Sequence, residues 1–125
     1  MGLFDIIGPV MVGPSSSHTA GAARIGYICN KMMDERIAEA RILFYGSFLA
    51  TGKGHGTDKA LVAGLLGMKP DDERIPYSME IAREQEMQVI FGAVELMEAH
   101  PNTVKLLLTG RSGRKLEVVA ASTGG

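Results

Sequence analysis

The chain of 125 residues contains no tryptophan, and its aromatic residues amount to only 6 %. Surfaces that hold single-stranded nucleic acid stack bases on aromatic rings, so this scarcity argues against such a platform. Neither sign of charge dominates: Lys plus Arg number 13 and Asp plus Glu 14, a net charge of −1. No broad field draws the chain toward nucleic acid or a membrane surface. The single cysteine, Cys29, excludes an intramolecular disulfide. No apolar run approaches the roughly 18 residues of a membrane helix, no basic stretch followed by an apolar one reads as a secretory leader, and no internal repeat is visible. These absences lead to the expectation of a soluble, cytoplasmic protein whose partners are small molecules and other proteins, with no nucleic acid and no membrane.

Hydrophobic residues, by contrast, make up 46 % of the chain and glycines number 16. That is enough apolar surface for one core, hence one globular domain over residues 1–125. The glycines point to tight turns and close backbone approaches. Ile25, Ile28, Cys29 and Met32 recur at helical spacing, which predicts a helix from about residue 18 to 33, capped by Ser17 or Thr19. Ala40 to Ser47, "ARILFYGS", reads as a short buried strand. "TGKGHGTDKALVAGLLG" runs from a glycine-rich turn into a helix with Thr57 as N-cap, Asp58 in the first turn, Leu61 and Leu65 on one face and Gly67 at its stop.

Ser78 is the expected cap of a further helix ending near Glu86. Met87 to Leu96 fits either a strand broken at Gly92 or a continued helix, and the Val, Ile and Phe of 88–91 favour strand. Two β-rich runs around "GRSG" then predict a terminal hairpin. The fold class is therefore α/β (α+β), a two-layer sandwich of a mixed sheet with helices. The final "ASTGG" reads as a linker.

Two glycine- and serine-rich segments carry the chemistry. "GPSSSHTAGAARIG" opens the first helix, where unsatisfied N–H groups and a partial positive charge favour an anion. Ser15, Ser16 and Ser17 add hydroxyl donors for a carboxylate or phosphate, and His18 adds charge or moves a proton. In "TGKGHGT", Gly52, Gly54 and Gly56 admit a ligand close to the backbone, while Lys53, His55 and Thr57 supply a cation, a titratable ring and a hydroxyl. Each segment alone also fits a plain cap and turn. The two together, each with a histidine and each opening a helix, point to one ligand site.

Other motifs fail. "GSFLATGKG" has the wrong spacing for a phosphate-binding Walker loop and a glycine where Ser or Thr would meet magnesium, and the evenly spaced glycines do not give the dinucleotide fingerprint. His18 and His55 lack a third ligand at diagnostic spacing, so no metal site is expected in this chain. His100, before a proline, reads as a loop residue, Cys29 as a small core hydrophobe, and the methionines as core filling.

The segments "FDIIGPVMVGPSSSHTAGAARIG", "FYGSFLATGKGHGTDKALVAGLLG" and "DDERIP" closely resemble the β chain or β domain of the iron–sulfur-dependent L-serine dehydratases of bacteria, from about Phe4 to Gly125. The resemblance implies a cytoplasmic lyase of amino-acid catabolism and gluconeogenesis that converts L-serine to pyruvate and ammonia. Its oxygen-sensitive [4Fe–4S] cluster would be held by cysteines of a partner α chain. One cysteine cannot hold a cubane cluster, which fits that division. Elimination needs a Lewis acid at the β-hydroxyl, the role of an open cluster iron, and a base for the α-proton. By its place in the Gly-His-Gly-Thr motif, His55 is the implied base. Ser15, Ser16, Ser17 and His18 would orient the substrate, and Lys53, Thr57 and Asp58 stand beside them as further candidates. The resemblance also implies pairing of β domains, an ACT domain beyond the final glycines, and an isolated domain without activity. The same domain type resembles the allosteric substrate-binding domain of some phosphoglycerate dehydrogenases, so a regulatory anion- or serine-binding and oligomerisation role without chemistry is the alternative.

Overall fold

A computed structural model describes residues 5–12, 18–45, 56–94 and 103–122, with side chains over 20–44, 56–93 and 103–120. The elements run β1 (Asp5–Val12), α1 (His18–Met33), β2 (Ile37–Tyr45), α2 (Thr57–Leu65), a 3-10 turn (Ile75–Tyr77), α3 (Ser78–Glu84), β3 (Gln88–Val94), β4 (Thr103–Gly110) and β5 (Lys115–Ser122). The strands form one five-stranded sheet in the order β1-β5-β4-β2-β3. β4 runs antiparallel to β2 and β5, while β1 is parallel to β5 and β2 to β3. Four strands therefore point one way and β4 alone points back.

Period-two alternation decides which face is covered. Ala40, Ile42 and Phe44 of β2, Val104, Leu106 and Leu108 of β4, and Leu116, Val118 and Ala120 of β5 are all buried. Against them lie Ala22, Ile25, Cys29 and Met33 of α1 and Ala60, Leu61 and Leu65 of α2 in the same core. Each fully buried Leu or Ile contributes about 1.5–3 kcal/mol. The opposite face carries Arg41, exposed, and a Lys105–Glu117 ion pair at 3.3 Å. Two layers, helices on one face of a mixed sheet, are what the alternation and the helical stripes predict.

α1 and α2 meet backbone to backbone. A Cβ on Gly64 would fall on the Ala23 carbonyl oxygen, 2.6 Å from the Tyr27 nitrogen and 2.8 Å from the Gly26 carbonyl carbon. A Cβ on Gly26 would fall on the Leu61 carbonyl oxygen, 2.8 Å from the Leu65 nitrogen. A glycine inside a helix costs about 0.5–1 kcal/mol relative to alanine, which the close approach offsets. α2 stops in a Schellman arrangement, with Gly67 at φ 98°, its N–H on Gly64 O (2.8 Å) and the Met68 N–H on Ala63 O (3.0 Å).

At one end the β4–β5 turn clasps the helix C-termini. Ser112 donates its N–H and its hydroxyl to the Glu35 carboxylate, both at 2.7 Å. Arg114 caps α1 through Met32 O (3.2 Å) and Met33 O (2.7 Å), and Arg111 donates to Gln85 O, just past α3, at 3.0 Å. The Ser112 N–H, then its hydroxyl, hold the Glu35 carboxyl below its ordinary range.

Several expectations need correction. The first helix spans His18–Met33 as expected, so Thr19 lies inside it and is not its cap; Ser17 lies outside the described residues. The strand expected over Ala40–Ser47 begins earlier, at Ile37, and is described to Tyr45. Ser78 is not a cap. Its backbone is already helical (φ −61°, ψ −36°) because the 3-10 turn leads straight into α3, and its hydroxyl donates to Lys59 O at 2.7 Å. α3 ends at Glu84, and Glu86 adopts φ 60°. Gly92 does not break β3, which pairs with β2 without a register shift. β1 had no sequence-based assignment: Gly8 and Pro9 interrupt its pattern and mask a strand that pairing with β5 completes.

Gly64→Ala is expected to lower stability by about 3 kcal/mol or more, because backbone atoms cannot yield as side chains do; urea unfolding measures it. Glu35→Gln tests the clasp. A carboxyl depressed in the folded state contributes stability above its unfolded pKa of about 4.3 and loses it as pH falls through the lower folded value. The variant's melting temperature is therefore expected to be lower at neutral pH and flatter across the acid range.

Candidate functional site

The helix contacts advance together along α1 and α2. Ala23 and Gly26 meet Leu61 and Gly64, and further on Asn30 donates from Nδ2 to Leu65 O at 2.9 Å and lies beside Gly67. The two helices therefore run in the same direction, with His18 and Thr57, their first residues, at the same end. The strands agree. β1 and β2 are parallel through β5 and β4, so Val12 and Tyr45 end at one edge of the sheet. Residues 13–17 join Val12 to His18, and residues 46–56 join Tyr45 to Thr57. Both motifs thus connect a strand's C-terminal end to a helix N-terminus on the same side of the molecule, opposite the Glu35–Ser112 clasp.

Helix N-termini present unsatisfied N–H groups and a partial positive charge. In α2 the N-cap residue offers them no side chain. The N-cap is Gly56, in the left-handed region at φ 77°, whose carbonyl accepts the Ala60 N–H at 3.0 Å. Thr57, expected as the cap, is the first helical residue instead, because only a glycine adopts that turn without strain. Thr57 is fully buried, and its Oγ1 has no hydrogen-bond partner among the described residues. Leaving a buried hydroxyl unpaired costs about 1–3 kcal/mol, so the position calls for an explanation other than packing. Asp58 is half-buried in the first turn and accepts the Lys59 N–H at 2.8 Å. A carboxylate there favours the helix start itself.

The remaining sequence candidates are placed by their neighbours alone. Ser15, Ser16, Ser17, Lys53 and His55 lie outside the described residues, as does the side chain of His18; His100 lies outside them too. A supporting residue escaped the sequence: buried Ser78 ties α3 to the first turn of α2 through Lys59 O. Its partner is 19 residues away, and no local pattern announces such a bond.

Iron–sulfur clusters are held by cysteine thiolates, and Cys29 does not suit that role. It is 1 % exposed on the core face of α1, and burial pushes its thiol up to about 12, so the thiolate is disfavoured. Among the described residues no group of three or more His, Cys, Asp or Glu side chains is placed to hold a metal. The described residues do not fit a cluster.

The chain is thus an α/β domain with two helix N-termini gathered at the carboxyl ends of its strands, a position at which α/β folds in general bind small anionic ligands. Comparison with known proteins makes the class specific. The serine dehydratase beta chain family profile matches residues 2–86, and the chain belongs to that family. It is 43 % identical over 123 residues to the L-serine dehydratase, beta chain, of Peptoniphilus asaccharolyticus, covering 98 % of this chain and 55 % of that one. It is 46 % identical over 123 residues to the probable L-serine dehydratase, beta chain, of Bacillus subtilis, covering 98 % and 56 %. The L-serine dehydratase TdcG of Escherichia coli is 37 % identical over an alignment 103 residues long that covers 72 % of this chain and 22 % of that protein. The chain thus spans about half the length of the beta chains it matches, and its counterpart in TdcG is a small part of a longer polypeptide. No helix among the described residues is long and apolar enough to cross a membrane.

Thr57→Val keeps the shape and removes the hydroxyl that has no partner among the described residues. Stability of the isolated chain is expected to stay level or rise by about 1 kcal/mol, read from urea unfolding.

Proposed function

We propose that this chain is the β-chain part of an L-serine dehydratase, a cytoplasmic lyase of amino-acid catabolism that converts L-serine to pyruvate and ammonia together with a partner α chain. The observation that carries this reading is the convergence of both motifs on two parallel helix N-termini at one sheet edge. An amino-acid carboxylate is an anion of the size such an N-terminus takes. The α1 N-terminus with Ser15, Ser16 and Ser17 binds that carboxylate, and His18 orients the substrate. His55 removes the α-proton as a neutral imidazole, whose basicity suits a reaction near neutral pH. Gly56 brings the α2 backbone close to the ligand. Thr57 and Asp58 open α2 at the same edge, where the Thr57 hydroxyl, without a partner among the described residues, finds its acceptor or donor on a bound group, and Lys53 is a further candidate for contact with the substrate.

The [4Fe–4S] cluster of the enzyme belongs to the α chain. Cys29 faces the core, so this chain's share is substrate binding and proton transfer. The product of elimination, an enamine, tautomerises to the imine and is hydrolysed, which releases ammonia. With the cluster on another chain, the β chain alone is inactive.

His55→Ala in the complete two-chain enzyme, assayed anaerobically for pyruvate, is expected to lower kcat by about 10²–10⁴-fold while serine binding and the cluster's absorption spectrum persist. Turnover that survives at saturating serine, with only cooperativity changed, would instead make the edge a regulatory serine-binding site.

A further inference from the structure

Tyr77 is the large hydrophobic side chain that the described residues leave exposed, at 59 %. A single exposed ring on a loose turn needs no explanation, but this turn is held on both sides. Pro76 fixes one backbone torsion within the 3-10 turn, and the Tyr77 N–H donates to Arg74 O at 2.8 Å. Arg74 is locked in its turn by Asp72, Nε on Oδ1 at 3.0 Å and Nη2 on Oδ2 at 2.8 Å. Ile75 packs against the core, and the residue after the tyrosine, Ser78, is tied to Lys59 O at 2.7 Å.

That last bond fixes where Tyr77 stands. Lys59 belongs to the first turn of α2, so Tyr77 lies toward the edge of the sheet from which both motifs issue. α3 leads away from that edge, toward the bond between Arg111 and Gln85 O in the clasp. Met79, two residues on, lines a groove of about 310 Å³ between α3 and β3 together with Ala82, Val89 and Phe91. Tyr77 therefore stands at the motif end of an apolar surface. Glu73 and Glu80, four residues before it and three after, are exposed and form no ion pair among the described residues.

We propose that Tyr77 is the anchor by which this chain docks the chain that carries the iron–sulfur cluster, its ring entering an apolar pocket rimmed by basic side chains. The inference rests on the function proposed above. With the substrate at the α1 and α2 N-termini, and with described residues that do not fit a cluster, a second chain that supplies one acts on the substrate only where its surface meets this edge. An interface of ordinary size covers about 800 Å² on each partner, a disc of about 16 Å radius. From Thr57 to Tyr77 the path is two residues along α2, one hydrogen bond of 2.7 Å and one residue back from Ser78, at about 3.8 Å or less per residue. Tyr77 thus falls inside a disc centred on the α2 N-terminus. Tyrosine is among the residues that dominate binding energy once a partner covers them, and a turn already held in place loses little freedom on binding. Glu73 and Glu80 favour a basic surface opposite. A second copy of this chain would bring the same two acids to the contact, so charge favours a different chain.

The test is anaerobic titration of the cluster-loaded partner chain with this chain, following complex formation by sedimentation and pyruvate formation from L-serine. Tyr77→Ala is expected to weaken complex formation about tenfold or more, to leave kcat unchanged once this chain is in excess, and to keep the helical circular dichroism of the parent. Tyr77→Phe, which keeps the ring, is expected to retain most of the affinity, and Glu73→Lys to lower it. His55→Ala, run beside them, is expected to lose kcat with association intact, whatever the outcome at Tyr77. Association that Tyr77→Ala leaves unchanged overturns the proposal, and the proposed function then still stands or falls with His55. Loss of kcat at saturation with association intact also overturns it, placing the phenol beside the substrate. So does a Tyr77→Ala variant that weakens only pairing of this chain with its own copy. A partner chain that never binds this one overturns the docking and the proposed function together.

Discussion

The backbone contact between α1 and α2 at Gly26 and Gly64 governs the geometry of the candidate site. A Cβ at either position would strike main-chain atoms of the other helix, and main-chain atoms cannot move aside without breaking the helix they belong to. The crossing point is therefore fixed to within a fraction of a residue. Because Asn30 continues the contact to Leu65, the helices keep one direction past the crossing. Two helix N-termini at the same end then follow, each about two turns from the crossing at a rise of about 1.5 Å per residue. Each glycine costs helix stability, and the exchange is a fixed placement of two anion-favouring ends.

The polar clasp and the proposed site lie at opposite ends of the sheet. At the amino ends of the parallel strands, Glu35, Arg111, Ser112 and Arg114 satisfy the polar groups left over by a hairpin turn and two helix C-termini. At the carboxyl ends Asp58 accepts the Lys59 N–H, but Gly56 caps nothing with a side chain, and the Thr57 hydroxyl is buried without a partner among the described residues. A domain selected for stability alone would fill that vacancy with a serine or aspartate cap, worth about 1 kcal/mol. Leaving it open fits an end that meets a ligand.

Much of this was legible beforehand. α1 was readable to the residue because its apolar stripe repeats over several turns, and the terminal hairpin because "GRSG" punctuates two β-rich runs. Gly67 announced the end of α2. The misreadings share a cause. Thr57 and Ser78 are residue types that cap helices, yet Gly56 adopts the left-handed turn and the 3-10 turn delivers Ser78 in helical conformation. Side-chain preference identifies a helix start to within a residue and does not decide which backbone turns the corner. β1 was not legible because its strand partner among the described residues, β5, is more than a hundred residues away.

By itself the sequence determined the kinds of element, the apolar faces that cover one another, and the family, since these reside in periodicity and in the Ser-Ser-Ser-His-Thr and Gly-His-Gly-Thr motifs. Only the tertiary structure decided that the two motifs issue from the same edge and that, among the described residues, β3 pairs with a strand on one side alone. Those are relations between segments far apart in the chain. They are set by the packing of α1 on α2 and by the strand order, neither of which leaves a local mark on the residues it positions.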